Sequence, residues 1–254
     1  MPAGDVFEPL LADPKQPHSQ ATAVWARTRS GSDLLGVVAY GDTVGFVRWP
    51  GPGEGGWQLG LSGAVFAQFD LSTYSTRLLN ADYTIGIALS RRRHAWSGRM
   101  RVYHQSSHLG DDILVPRQVE RTRLDYEAFE LIAAAERSAF RLYGGGEILI
   151  RRLPLALPVA IWHVGLEYRH PRRFAVGARV QGQLVAGADA KRSWSSSRIA
   201  DVSVRAGVEF GPPAVDHAWR RRWAVLAQWN EGGSYGQFFV ERATSLGIGL
   251  HLIL

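Results

Sequence analysis

The sequence predicts an all-β chain closed into a transmembrane antiparallel β-barrel of about twelve strands, an even number such as single-chain outer-membrane barrels have. Three observations carry this expectation. Apolar and polar residues alternate with period two along most of the 254-residue chain, the spacing that sends successive side chains to opposite faces of a strand. The alternating runs last about 10 to 14 residues, longer than ordinary strands and sufficient for a tilted strand to cross a bilayer. Aromatic residues recur near the ends of the apolar faces, at Trp57, Phe69, Tyr168, Phe210, Trp223 and Trp229, as interfacial girdles require.

From the N-terminus, residues 1–20 carry little periodicity, and Pro9, Pro14 and Pro17 disfavour helix and strand interiors alike. This extension is expected either to lie under the barrel mouth or to enter the lumen as a plug, anchored by Phe7, Leu10 and Leu11. Residues 21–254 form the barrel domain, with strands expected at 21–28, 35–49, 57–69, 83–92, 97–107, 126–136, 139–150, 159–170, 173–187, 198–210, 222–231 and 237–254. In the third strand Trp57, Leu59, Leu61, Val65 and Phe69 share a face against Gln58, Ser62 and Gln68. In the ninth, Phe174, Val176, Ala178, Val180 and Leu184 oppose Arg179, Gln181 and Gln183. Val202, Val204, Ala206, Val208 and Phe210 alternate with Asp201, Ser203, Arg205, Gly207 and Glu209, and Leu246, Ile248, Leu250 and Leu252 line one face of the last strand. A soluble sandwich also alternates; strand length and the aromatic placement favour the membrane barrel.

The connections support the same count. Turns at Glu136–Ser138 and Pro171–Arg172 are tight, whereas 70–82, 107–125 and 187–197 are long. Short turns face the periplasm and long loops the exterior in such barrels, which places both termini on the periplasmic side. The connection 211–221 is longer than this rule prefers.

Composition narrows the classes further. No apolar run reaches the length of a membrane helix. Cysteine is absent, which excludes disulfide scaffolds and thiolate metal sites and leaves the redox compartment open. Met1 to Asp5 has neither a basic nor an apolar region of a secretory signal, so the chain reads either as cytosolic or as a mature exported sequence with an added start. The formal charge of +6 comes mostly from arginine, with clusters at Arg91–Arg93 and Arg220–Arg222. Alternation puts Arg48, Arg101, Arg141, Arg179, Arg205 and Arg222 on the polar face with Glu130, Glu167, Asp201, Glu209 and Glu241. A lumen holding both signs forms paired networks, because an unpaired buried charge is costly. Nucleic acid is therefore not an expected partner.

One stretch carries candidate chemistry. In the strand at 97–107, Met100 and Val102 face lipid and Arg99 and Arg101 the lumen, so His104 and Ser106 continue the lipid side. In the next strand Phe129, Leu131, Ala133 and Ala135 face lipid, and Asp125 shares their parity. His104 is placed to take the proton of Ser106 while Asp125 holds the imidazole tautomer, the logic of an activated hydroxyl nucleophile. Asp111 and Asp112 just beyond are candidate ligands for a calcium ion. The bland reading of the same residues is a solvated strand end whose hydroxyls and imidazoles pin the adjoining loop.

The runs FEPLLADP (Phe7 to Pro14) and HQSSHLGD (His104 to Asp111), with RLYGGG (Arg141 to Gly146) and GLEY (Gly165 to Tyr168), resemble a bacterial family of unknown function whose members are expected to be exported outer-membrane proteins. That resemblance implies that Met1 replaces a removed export signal. The His104-x-Ser106 pair is also similar to outer-membrane phospholipase A, a twelve-stranded barrel with a lipid-facing His-x-Ser pair, an Asn on the following strand and calcium dependence. It implies His104 as base, Ser106 as nucleophile and Asp125 in the place of the Asn, and it departs from the pattern in that substitution and in a longer spacing. The expected function is thus a lipid-facing serine esterase of the outer membrane, with calcium as cofactor. Membrane lipid is the expected partner, and a second copy of the chain or another membrane component is a further candidate. The competing expectation is a non-catalytic barrel, either a narrow channel or a structural partner.

Overall fold

Twelve long strands follow one another as antiparallel neighbours: β1 (Ser19–Arg27), β2 (Ser32–Pro50), β3 (Gly55–Asp70), β4 (Arg77–Arg93), β5 (Trp96–Leu109), β6 (Leu124–Arg137), β7 (Phe140–Leu153), β8 (Ala160–Arg169), β10 (Gln181–Ser193), β11 (Asp201–Gly211), β12 (Arg222–Gly232) and β13 (Ala243–Ile253). The two-residue β9 (Phe174–Ala175) hangs on the start of β10. β13 returns to pair with β1, from Ser19 opposite Leu252 to Arg27 opposite Thr244, and the sheet closes on itself. The structure, a computed structural model, describes residues 5–28, 31–51, 55–110, 123–194, 200–212, 222–233, 236–239 and 241–253. The expected class and strand number are those observed.

Period-two patterning becomes an inside and an outside. On β13 Leu246, Ile248, Leu250 and Leu252 point outward, Ile248 being 58% exposed, while His251 between them is 1% exposed. Ile85, Ile87, Val102, Leu131, Leu142, Val164 and Leu184 continue the outer apolar band around the ring. Trp49, Trp57, Trp96, Phe140 and Trp223 stand on it near the end that carries the N-terminus, and Trp25, Tyr83 and Trp162 near the far end. So large an exposed apolar surface does not stay in water. With strands of 9 to 19 residues it matches what a tilted bilayer-spanning strand needs.

The inner face is polar and paired. Glu130 binds Arg99 and Arg101 at 2.9 and 2.8 Å, Glu167 binds Arg141 and Arg169 at 3.3 and 2.9 Å, and Glu209 binds Arg222 at 3.2 Å. Two expected lumen charges lie elsewhere. Arg179 is exposed in the connection 170–180, because Gly177 adopts φ 93° and ends the short β9 hairpin, so β10 starts at Gln181 and runs on to Ser193. Glu241 is exposed between β12 and β13. Arg48, after a bulge between Gly45 and Val47, keeps the parity of the buried Gln58 opposite it but is exposed at the rim. The long 170–180 connection lies at the end that carries the N-terminus, so the turns there are not uniformly short. Of the connection 211–221, residues 213–221 lie outside the described residues.

Residues 5–18 run inside the ring without a ladder of their own, and side chains of the barrel meet their backbone groups. Val6 N–H donates to Gln58 and its carbonyl accepts from Arg92; the carbonyls of Glu8 and Pro9 accept from Arg141; Leu11 N–H donates to Glu167 and its carbonyl accepts from Arg205. The Phe7 ring lies between two guanidinium groups, 5.0 Å from Arg99 and 4.7 Å from Arg141, an arrangement that strengthens away from water. Leu10 packs on Ile132 and Tyr143, and Leu11 on Val185 and Leu226. Asp13 and Lys15, at the top of this inward loop, pair with Lys191 and Asp82, and the chain then descends to His18, which meets His251 at 3.0 Å.

Glu8 fixes this loop from below through Arg222 at 2.5 Å. Burial alone would raise its carboxyl, but Arg222, Arg169 and Arg141 outweigh burial and hold it at about 2, against an ordinary 4.5. A depressed carboxyl contributes stability that is complete above the ordinary value and is lost as pH falls through the folded one. Acidification from about 4.5 towards 2 is therefore expected to raise amide hydrogen exchange in residues 6–11, and Glu8→Gln to flatten that dependence.

Candidate functional site

The far ends of β5 and β6 carry the candidate side chains, and alternation decides their direction. On β5 Tyr103, Gln105 and Ser107 are buried on the inner face, while Val102 is fully outward and His104 and Ser106 are half-buried on the same outer side. Register then sets what each meets across the β5–β6 ladder: Ser106 stands opposite Asp125 and His104 opposite Glu127. His104 Nδ1 lies 3.2 Å from Glu127 Oε1, with side chains 43% and 35% exposed. Since a carboxylate only accepts, Nδ1 carries the hydrogen, and in the neutral imidazole the acceptor is then Nε2.

The carboxylate joined to the imidazole is thus Glu127, not Asp125. Asp125 is instead held by Arg123 through two parallel hydrogen bonds of 3.0 and 2.9 Å. Glu127 has a second neighbour: β7 bulges at Ile150, which brings Arg151 opposite Glu127 with its guanidinium 3.6 Å away. Parity alone would have marked Glu127 as outward, since it is two residues from Asp125. Among the described residues no hydrogen bond joins His104 to Ser106, although residues two apart on a strand lie only about 6.6 Å apart, within reach of an imidazole.

The expected calcium ligands Asp111 and Asp112 lie outside the described residues. Among those described, no three His, Cys, Asp or Glu side chains gather to hold a metal.

A closed ring of antiparallel strands, apolar outside and charged within, with a His–carboxylate pair on the outer wall, defines an outer-membrane-type β-barrel. The chain belongs to the family described as protein of unknown function (DUF1207), whose model matches residues 1–253. It is similar to the outer membrane phospholipase dimer of Salmonella typhi with bound calcium, at a TM-score of 0.58 and 13% identity, covering 94% of this chain and 93% of that one. It is similar in the same degree to outer membrane phospholipase A of Escherichia coli, with a TM-score of 0.58 and 12% identity over 94% and 93% of the two chains. At these identities the likeness is one of fold. No curated protein matches the sequence.

Proposed function

We propose that the protein resides in the bacterial outer membrane and acts there as a serine acyl hydrolase on lipid esters. The observation that carries this is the hydrogen bond from His104 to Glu127, which leaves Nε2 free on the outward strand face that also bears Ser106. Acyl chains lie against that face in a bilayer, so the ester need not leave the membrane. In the proposed reaction Ser106 Oγ gives its proton to His104 Nε2 and bonds to the ester carbonyl carbon. The carbon–oxygen bond of the ester then breaks, and the leaving alkoxide takes the proton from His104. Water repeats the sequence on the acyl-serine and releases the fatty acid. The Ser106–His104 contact is expected to tighten once substrate is bound, as catalytic hydrogen bonds do.

No step is routed through calcium, because the described residues gather no ligands for it. A homodimer is the assembly to test first, as the Salmonella structure is a dimer; chemical cross-linking at rising protein-to-detergent ratios reads it out. The competing reading is a non-catalytic barrel. It draws support from the missing Ser106–His104 hydrogen bond and from the loop that occupies the lumen. Fatty-acid release from mixed micelles separates the two: loss in Ser106→Ala supports the hydrolase, and equal rates in parent and variant overturn it.

A further inference from the structure

Below Ser19 the barrel wall is one strand short. β1 pairs β2 only from Arg27 opposite Ser32 to Gln20 opposite Ala39, whereas β2 runs on to Pro50 with β3 along its other side. The chain before Ser19 lies inside the ring, so below Ala39 no strand flanks β2 on its β1 side among the described residues. The Gly41 carbonyl accepts from the Ser19 hydroxyl at 3.4 Å and therefore faces this open side. By alternation the N–H and carbonyl of Thr43 face it too. Backbone groups on an open edge template a further strand, and hydrocarbon offers them no water.

Asp42 sits between these two residues and shares the outward parity of Tyr40 and Val44. Along β2 it lies midway between Leu34, opposite Trp25, and Trp49, opposite Trp57, and so in the middle of the apolar band. An ionised carboxyl is costly there, so it is either held protonated or met by a cation. Its own hydrogen bond is to the neighbouring Thr43 N–H at 2.7 Å. Among the described residues no lysine, arginine or histidine pairs with it or acts on it electrostatically. Gly63 and Ile85 separate Asp42 from His104 along one cross-strand row, so this edge is distinct from the outer His–carboxylate pair.

We infer that the open edge of β2 from Asp42 to Val47 docks an extended segment of a partner polypeptide that carries a lysine or arginine. The segment adds a strand antiparallel to β2, in line with β1 and ending beneath Ser19. A polypeptide fits both features of the edge: its backbone pairs with Thr43, and its cation meets Asp42. Because Asp42 is flanked by two edge-facing residues, it stands at a non-hydrogen-bonded position, where side chains across an antiparallel pair come closest. The next outward residue of the segment lies beside Val44, in the apolar band, and is apolar.

The full chain in an uncharged detergent is titrated calorimetrically with the peptide acetyl-Val-Thr-Val-Thr-Val-Thr-Lys-amide and with its counterpart ending in Glu. Amide hydrogen exchange over residues 42–47 is followed in parallel. The parent is expected to bind the lysine peptide at least tenfold more tightly than the glutamate one, and exchange over 42–47 to slow on binding. Asp42→Asn is expected to bind the lysine peptide at least tenfold more weakly, and Asp42→Lys to prefer the glutamate peptide. Asp42 is on the outer face and holds no other strand, and heat-modifiable migration on a gel verifies that both variants fold. Equal affinity of parent and Asp42→Asn, no preference of the parent between the peptides, no binding of either, or binding that leaves exchange over 42–47 unchanged would overturn the inference. A dimer of the parent that Asp42→Asn splits would assign the edge to a second copy and overturn it as well. None of these readouts depends on Ser106.

Discussion

The Ser106→Ala protein is expected to fold and migrate like the parent and to release fatty acid from micelles at the protein-free rate. The substitution removes one half-buried oxygen from the outer wall and breaks no hydrogen bond among the described residues, so its cost in stability is expected within about 0.5 kcal/mol. Its cost in turnover is set by the loss of the nucleophile, on the order of 10⁴-fold or more where such a group acts as part of a unit. His104→Ala is expected to do the same. The two carboxylates then separate the mechanism from mere polarity of the strand end. Glu127→Ala frees the imidazole to rotate and to take the wrong tautomer, and a fall of about 10²- to 10⁴-fold in kcat is expected. Asp125→Ala removes the partner of Arg123 and leaves the imidazole hydrogen bond intact, so its kcat is expected to stay near the parent value. The reverse ranking would give Asp125 the orienting role.

Arg141→Leu is expected to be the most destabilising single change in the lumen. The guanidinium is 4% exposed and holds four groups at once: the carbonyls of Glu8 and Pro9, the Glu167 carboxylate and the face of the Phe7 ring. Leucine orphans two part-buried carbonyls and removes one of the two cations facing Glu167, leaving Arg169 to hold that carboxylate. A loss of about 3–5 kcal/mol is expected, as for breaking one side of a buried charged network. Urea unfolding in detergent measures it, and limited proteolysis should show residues 5–18 becoming cleavable first. Arg151→Ala provides the contrast. Arg151 is 62% exposed and its contact with Glu127 is 3.6 Å, so its removal should change stability by less than about 1 kcal/mol.

Much of this was legible in the sequence, because in a barrel wall one rule of parity governs every strand. Parity sends Val102, His104 and Ser106 outward and Arg101 inward, and it needs no knowledge of which strand lies beside which. Register is a different matter. Whether His104 meets Asp125 or Glu127 depends on how many residues the β5–β6 connection takes up, and nothing in the strand pattern fixes that number. The path of residues 5–18 was illegible for a related reason. A segment whose backbone is satisfied by side chains from Gln58, Arg92, Arg141, Glu167 and Arg205 has no repeat of its own to read. Gly177 misled in the opposite sense, since the apolar residues around it alternate as a strand would while its backbone conformation ends one.

The pairing of the first strand with the last imposes an order on biogenesis. Ser19–Arg27 lacks its second neighbour until Ala243–Ile253 arrives, so the cylinder is sealed only after the final stave has been delivered. The residues that clasp the stretch before Ser19 come from β3, β4, β7, β8 and β11, and they face one another only across a shut ring. Docking of that stretch is therefore the closing act of maturation, and its covalent tie to the seam keeps it within reach until then.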